Sequence, residues 1–386
     1  MPNTTNNQLQ QLITELCPDG VEYKELGEVA VFKRGTTMTK TNTVQGGVPV
    51  IAGGQKPAYY HNVSNRTGQT IVLSSSGAYA GFVSFWEIPI FLSDSFSVNP
   101  NENKLNSKYV FYFLKNLQIY IYSLKKGSGV PHVSGGDLSS IKIPLPPLPV
   151  QQEIVRILDT FTSLEAELEA ELEARKQQYE YYREQLLTFG GDVKWMSLGE
   201  VCDFSQGIQI DISKQLPERE EGFVRFLRIV DFVKDNEPPR YIKDPGIRYV
   251  KKQGDLVMIR YGASAAGKVF LNFEGAIANN MFQIKINSEA LQTRFLYTYL
   301  SQTKIYNELN SGGGNSTMPA ITFTQIGNLK IPIPPLPEQE RIVAILDQFD
   351  ALTNDISIGL PAELAARRQQ YEYYRNQLLS FPEYES

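Results

Sequence analysis

Residues 141–161 read IKIPLPPLPVQQEIVRILDTF, and residues 329–349 read LKIPIPPLPEQERIVAILDQF. Downstream, ARKQQYEYYREQLLTF at 174–189 returns as ARRQQYEYYRNQLLSF at 366–381. Upstream, LGEV at Leu26–Val29, followed by Phe32 and Gly35, recurs at Leu198–Val201, followed by Phe204 and Gly207. A repeat this long is a duplicated domain, not a solenoid unit. Equivalent residues are offset by 172 at LGEV, 188 at the proline phrase and 192 at the tyrosine phrase, so the second copy is sixteen residues longer before its proline phrase and four longer after it. Four residues is about one helical turn, an insertion that keeps helix faces in phase and predicts helix in both copies.

Each proline removes a backbone donor and fixes φ, so the proline run reads as an extended rigid connector. Long helices are predicted to start just after it, at Gln151 and Gln339. In the first, Ile154, Ile157, Phe161, Leu164, Leu168, Tyr179, Tyr182, Leu186 and Phe189 recur at helical spacing, with the strong helix formers EAELEAELEA between them. A helix of about forty residues is about 60 Å long, too long for one small core. Its partner is the second helix, through Ile342, Ile345, Phe349, Leu352, Ile356, Leu364, Tyr371, Tyr374, Leu378 and Phe381, with a kink or break expected at Gly359 and Pro361. Strand-like stretches such as QTIVLSSS (69–76) and GDLVMIRY (254–261) lie between turns and precede a helical segment in each copy. The expected fold is α+β: globular bodies at 1–145 and 194–333, and spacer helices at 146–193 and 334–386. The helices are expected to pair as an antiparallel coiled coil, with the bodies at opposite ends of a rod and related by a pseudo-twofold axis.

Net charge is −5, which by itself argues against a nucleic-acid partner. It is segregated, however: each body carries +3, while the helical segments carry −6 and −5. Two mildly basic bodies alternate with two acidic helices, and such a pattern leaves a local footprint that the whole-chain value hides. No apolar run approaches the length of a membrane span, and MPNTTNNQLQ has no basic or apolar leader character, so a cytoplasmic location is expected. Cys17 and Cys202 occupy non-equivalent places and read as buried small hydrophobes rather than a disulfide or a shared metal site.

Catalytic motifs fail for physical reasons. Gly262–Lys268, GASAAGK, resembles a phosphate-binding loop until Val269 stands where a hydroxyl should hold Mg²⁺, and VFLNF after it reads as strand. The equivalent GAYAG at Gly77–Gly81 lacks the lysine, which leaves a turn common to both bodies. NEPPRY at 236–241 is a garbled form of a base-gripping Pro-Pro-aromatic motif. Both histidines, His61 and His132, lie in the first body, so chemistry shared by the copies cannot use histidine. The chain does not read as an enzyme.

LGEV, the proline phrase running into Q-x-x-I-V-x-I-L-D, and ARKQQYEYYREQLL, all stated twice, resemble the specificity subunit of bacterial type I restriction-modification systems. The resemblance covers essentially the whole chain. It implies a non-catalytic subunit whose two target-recognition domains each read half of a bipartite duplex DNA site. It also implies that two modification (methyltransferase) subunits carrying S-adenosylmethionine dock on it, and that restriction (translocase-nuclease) subunits using ATP and Mg²⁺ join for cleavage. No cofactor is expected on this chain. Half-site centres would lie about 34 Å apart, one DNA turn. A helical scaffold that bridges two partner copies without touching DNA is the alternative.

Off the helix seam, Gln177, Gln178, Glu180, Tyr181, Arg183 and Gln185 are matched by Gln369, Gln370, Glu372, Tyr373, Arg375 and Gln377. Two identical faces suit two copies of one partner, with Tyr and Arg as anchors. Base reading draws on Arg, Lys, Asn, Gln, Ser and Thr. The DNA-facing candidates of the first body are Lys56, Tyr59, Tyr60, His61, Arg66, Ser74, Ser76 and Tyr79, with Lys125, Lys126, Ser128 and His132 on its Gly/Ser loop. Those of the second are Arg225, Arg228, Arg260, Ser264, Lys268, Asn279 and Asn280, with Asn315 and Ser316 on the equivalent loop.

Overall fold

A computed structural model describes residues 3–127, 129–234, 236–262, 266–271, 273–311, 320–355 and 357–384, the side chains of 3–7 excepted. The chain divides into two compact α+β units, Met1–Leu172 with Leu360–Ser386, and Glu173–Gly359. This division cuts across the repeat. Each unit joins one body to the first part of its own spacer helix and to the tyrosine-phrase helix of the other copy.

In the first unit a four-stranded antiparallel sheet runs in the order Ala30–Arg34, Ser95–Pro100, Thr70–Ser74, Val83–Trp86, beside a three-stranded sheet of Tyr59–His61, Val48–Ile51 and Phe91–Leu92. Thr70–Ser74 is buried throughout, as its β-branched run requires. The second unit repeats the order with Cys202–Gln206, Met281–Ile286, Leu256–Ile259 and Val269–Leu271. Its other sheet, Arg240–Lys243, Phe223–Leu227 and Gly275–Ile277, carries a fourth strand, Val250–Lys251, where the first unit has the single bridge Arg66–Ile90. Val269–Leu271 is strand, so GASAAGK ends in a sheet and has no helix N-terminus to hold a phosphate.

The repeated phrases meet in space. Tyr23–Glu25 pairs with Lys142–Pro144, and Lys194–Ser197 with Lys330–Ile333, so the strand before LGEV is bonded to the strand before the prolines in both units. The helices then begin at Leu148 and Leu336, one turn earlier than predicted. Pro149 and Pro337 sit in the first turn, where a missing N–H removes no helical hydrogen bond. That shift places Gln151 and Gln339 inside the protein, both at 0% exposure. The Gln151 amide donates to the Lys104 and Pro146 carbonyls at 2.8 and 2.7 Å, and its oxygen accepts from Asn106 N–H at 2.8 Å. Gln339 repeats all three contacts with Ala290 (2.7 Å), Pro334 (2.8 Å) and Gln292 N–H (2.9 Å). Eight residues, about two turns, further on, Asp159 binds Lys108 Nζ at 3.0 Å and accepts from the Tyr112 hydroxyl at 2.6 Å, while Asp347 takes Arg294.

The first spacer helix, Leu148–Leu186, is continuous over 39 residues. The second is interrupted: Leu336–Asn354 and Leu360–Leu378 flank a break that absorbs the four additional residues. The break falls where Gly359 and Pro361 led it to be expected, and Pro361 sits in the first turn of the restarted helix. Asp355 Oδ1 accepts from Ser357 N–H at 2.7 Å and Ile358 N–H at 3.3 Å, a local turn that competes with helix, and Gly359 packs so closely that a Cβ would lie 2.4 Å from the Ala351 carbonyl oxygen. In the first unit the helices run antiparallel: Phe161 stacks on Tyr374 at 5.6 Å and meets Tyr371 at a tilt at 6.0 Å, and Arg368 bonds Glu165 and Glu169. In the second, Phe349 meets Tyr182 at 5.6 Å and Tyr179 at 6.3 Å. Leu164 and Leu352, assigned to the seam, are instead exposed, and Ile356 lies outside the described residues.

The chain's last described residues return to its start. Val21 N–H donates to Pro382 O at 2.9 Å, Tyr384 N–H donates to Val21 O, and the Tyr23 hydroxyl donates to Phe381 O. In the second unit the corresponding residues, Phe189 and Gly190, lead covalently into Lys194.

Gln151→Ala and Gln339→Ala each strand a buried N–H and two carbonyls. Each substitution is expected to destabilise its own unit by about 2–4 kcal/mol, read as a lowered denaturant midpoint for that unit's transition.

Candidate functional site

The tyrosine phrase presents nearly the same surface in both units. Tyr181 and Tyr373 are 60% and 59% exposed, each edge-on to its neighbour Tyr182 or Tyr374 at 5.5 Å. Gln177, Glu180 and Gln185 are exposed, as are Gln369, Glu372 and Gln377. Gln178 and Gln370 are half-buried, and each accepts from an arginine one turn back, Arg175 or Arg367. On the second of these helices Glu363, Ala366, Arg367, Gln369, Gln370, Tyr373 and Tyr374 line a shallow depression of about 660 Å³. All seven residue types recur in order at Glu171, Ala174, Arg175, Gln177, Gln178, Tyr181 and Tyr182.

Arg183 and Arg375 depart from the expected outward face. Arg183 donates to Ser301 Oγ at 3.1 Å and lies over the Tyr179 ring, with 14% of its side chain exposed. Arg375 donates to Asn116 Oδ1 at 2.9 Å and lies over Tyr371. Both brace the helix against the body of their own unit, because a guanidinium stacked on a seam tyrosine reaches the body's polar rim.

In the first unit several loops gather at one end of the sheets. Ser95 Oγ donates to Ala52 O at 2.8 Å, Met38 N–H donates to Ser93 Oγ at 3.0 Å, and Ser75 N–H donates to Asp94 O. Gly77 N–H donates to Pro131 O, and Ser76 bridges to His132. Lys56, Tyr60, Tyr79, Lys126 and His132 are exposed, and Ser76 is half-buried. The backbones of Lys126 and His132 pair, closing the Gly/Ser loop. Lys125 is half-buried, donating to Ala78 O and sitting over Tyr122 at 4.4 Å.

Four candidates prove structural. His61 is buried, edge-on to Phe91, and its Nδ1 accepts from Val44 N–H at 3.0 Å. Ser74 is buried in its strand. Tyr59 spends its hydroxyl on Met38 O. Arg66 donates to Ser97 Oγ and to the carbonyls of Asn65, Lys33 and Arg34, with burial lowering its pKa. A guanidinium with its donors consumed by carbonyls is a strut, not a reader.

In the second unit Lys268 is exposed, Asn279 and Asn280 are half-exposed, and Arg260 lies over Phe323 at 5.5 Å. Arg225 and Arg228 both reach the fully buried carboxylate of Asp231, at 3.8 and 3.0 Å, and Arg225 also covers Phe273. They are held internally. Ser264, Asn315 and Ser316, like Ser128 of the first body, lie outside the described residues.

Cys17 and Cys202 are buried, and burial raises both thiols, Cys202 to about 12, so neither is a nucleophile. Among the described residues no three His, Cys, Asp or Glu side chains cluster to hold a metal, and no helix is long and apolar enough to cross a membrane.

The family model described as "Type I restriction modification DNA specificity domain" matches residues 18–174 and again 191–366. The chain is 31% identical over 409 residues to the EcoR124I/EcoR124II type I restriction enzyme specificity subunit of Escherichia coli, covering 95% of this chain and 96% of that one. It is 30% identical over 381 residues to a putative type I restriction enzyme specificity subunit of Haemophilus influenzae, covering 94% and 96%. Among solved structures, the S subunit of a type I restriction-modification system from M. genitalium has a similar fold, with TM-score 0.60 at 16% identity over 93% of this chain and 96% of that one. The HsdS subunit from Thermoanaerobacter tengcongensis matches at TM-score 0.52 and 20% identity over 94% and 96%.

Arg183→Ala and Arg375→Ala should each cost about 1–2 kcal/mol in equilibrium unfolding, whereas Tyr181→Ala and Tyr373→Ala should stay within about 0.5 kcal/mol of wild type. Asp137, bonded by Lys126 and by its capping partner Ser134, titrates at about 2 instead of the usual 3.8. Its folded pKa is depressed, so its contribution is present above the unfolded value and lost as pH falls toward 2. The stability gap between wild type and Asp137→Asn should therefore shrink as pH drops from about 3.8 to about 2.

Proposed function

Because this chain belongs to the type I restriction modification DNA specificity family, we propose that it is the non-catalytic, sequence-reading subunit of a methyltransferase and restriction complex. Each unit reads one half of a bipartite duplex DNA target. Two modification subunits carrying S-adenosylmethionine dock on the twin tyrosine-phrase faces and methylate the half-sites. Restriction subunits, using ATP and Mg²⁺, join for cleavage.

The observation that carries this reading is the contrast between frame and loops. Gln151 and Asp159 at the joins recur as Gln339 and Asp347, and the exposed tyrosine face recurs residue for residue, while the loops between strands share little. A partner used twice requires identical surfaces, and two different half-sites require different ones. Tyr181 and Tyr373 suit the anchor role, because a tyrosine offers a large rigid contact area with a polar tip.

Exchanging residues 20–145 for those of a homologue with another target tests the modular reading. Sequencing of methylated DNA should then find one half of the motif changed and the other retained; a change in both halves, or in neither, contradicts it. DNA affinity of the assembled complex should fall steeply with salt, as phosphate contacts demand, whereas a scaffold that never touches DNA gives no salt slope.

A further inference from the structure

Between Glu28 and Glu87 the first unit contains no Asp or Glu but five cations, Lys33, Arg34, Lys40, Lys56 and Arg66. Arg66 is consumed by carbonyls; the other four are exposed, and among the described residues none of them makes an ion pair. The second unit's comparable arginines, 225 and 228, are neutralised by Asp231. Four unpaired, exposed cations in a sequence stretch without acids favour a polyanion as partner.

Within this stretch lies the loop 36–47, TTMTKTNTVQGG, which contains none of the sequence-derived candidates. Its ends are fixed. Gly35 lies where a Cβ would be 2.4 Å from the Leu92 and Ser93 carbonyl oxygens, Thr36 N–H donates to Leu92 O, and Met38 is held by Ser93 and Tyr59. On the return, Val44 is bonded to buried His61, and Gly46 abuts the His61 carbonyl. Between the two anchors a single 3₁₀ turn, Lys40–Asn42, projects Lys40, Thr41 and Asn42 into solvent, followed by exposed Val44 and Gln45. Most of the anchoring uses backbone and buried groups, so the side chains at the tip are left for contact. The second unit places a 3₁₀ turn, Ile212–Lys214, after the equally crowded Gly207, where a Cβ would lie 2.2 Å from Ala278 O.

We propose that loop 36–47 is the DNA-reading element of the first unit, an inference that rests on the function proposed above and names where that unit reads. Lys40 sits on a phosphate, and Asn42 and Gln45 meet base edges, as amides do with adenine; Val44 offers an apolar contact for a thymine methyl. Prior anchoring keeps the ordering cost of such contacts low.

The test uses the full chain assembled with its modification subunits, and a duplex carrying the motif methylated in cells. Lys40→Ala should lower the salt slope of binding by about 1, while Lys40→Arg retains it. Asn42→Ala and Gln45→Ala should each cut discrimination at one base pair by about tenfold or more, in one half-site only, read by sequencing methylated DNA. All substituted positions are exposed, and circular dichroism with unchanged methylation of the other half-site reports an intact fold. Wild-type slope for Lys40→Ala together with an unaltered motif for both amide variants would overturn the loop assignment while leaving the subunit's function standing. A wild-type complex with no salt-dependent DNA binding would remove the functional reading itself.

Discussion

The buried amide at Gln151, repeated at Gln339, is the constraint from which the rest of the architecture follows. A helix that emerges from a proline run has unbonded backbone donors and no intrinsic reason to leave its body at one angle. A primary amide at 0% exposure, bonded to two carbonyls and one N–H, removes that freedom, because breaking any of the three leaves a buried polar group unpaired. Asp159 and Asp347 then repeat the lock further along each helix, with a lysine and a tyrosine in one unit and an arginine in the other. Each body is thus joined rigidly to a spacer helix. The seam aromatics Phe161 and Phe349 join that helix to the tyrosine phrase of the other copy.

With the joins fixed, the strand order of the bodies is retained while loops change length and charge. The interruption around Asp355–Gly359 accommodates four additional residues without disturbing the repeated contacts. Charge has changed as well. The first unit exposes unpaired cations over an acid-free stretch, while the second buries Asp231 between two arginines. A common frame holds two electrostatically distinct surfaces, a division of labour suited to one partner used twice and to two unlike targets.

Most of the frame was legible in the sequence, since repetition marks the residues and periodicity marks the seam. The helix starts were misplaced by a turn because a proline phrase looks extended until its last proline proves to sit in a first turn. Site residues were harder to read, for a chemical reason. The donors that make Arg, His, Ser and Tyr good readers of bases also satisfy buried carbonyls and loop N–H groups, and residue type cannot distinguish the two uses. Arg66, His61, Ser74 and Tyr59 went inward for that reason, and Arg183 and Arg375 likewise. The one sequence signal that pointed to loop 36–47 was the absence of acids from residues 29–86, which an average over the whole body conceals.

The central claim is that one frame offers the same face twice. Native mass spectrometry of the chain with saturating modification subunit tests it most directly. The account predicts two modification subunits per wild-type chain and one when Tyr181 alone is replaced by alanine. A single partner on wild type, or loss of both on that one substitution, would contradict it.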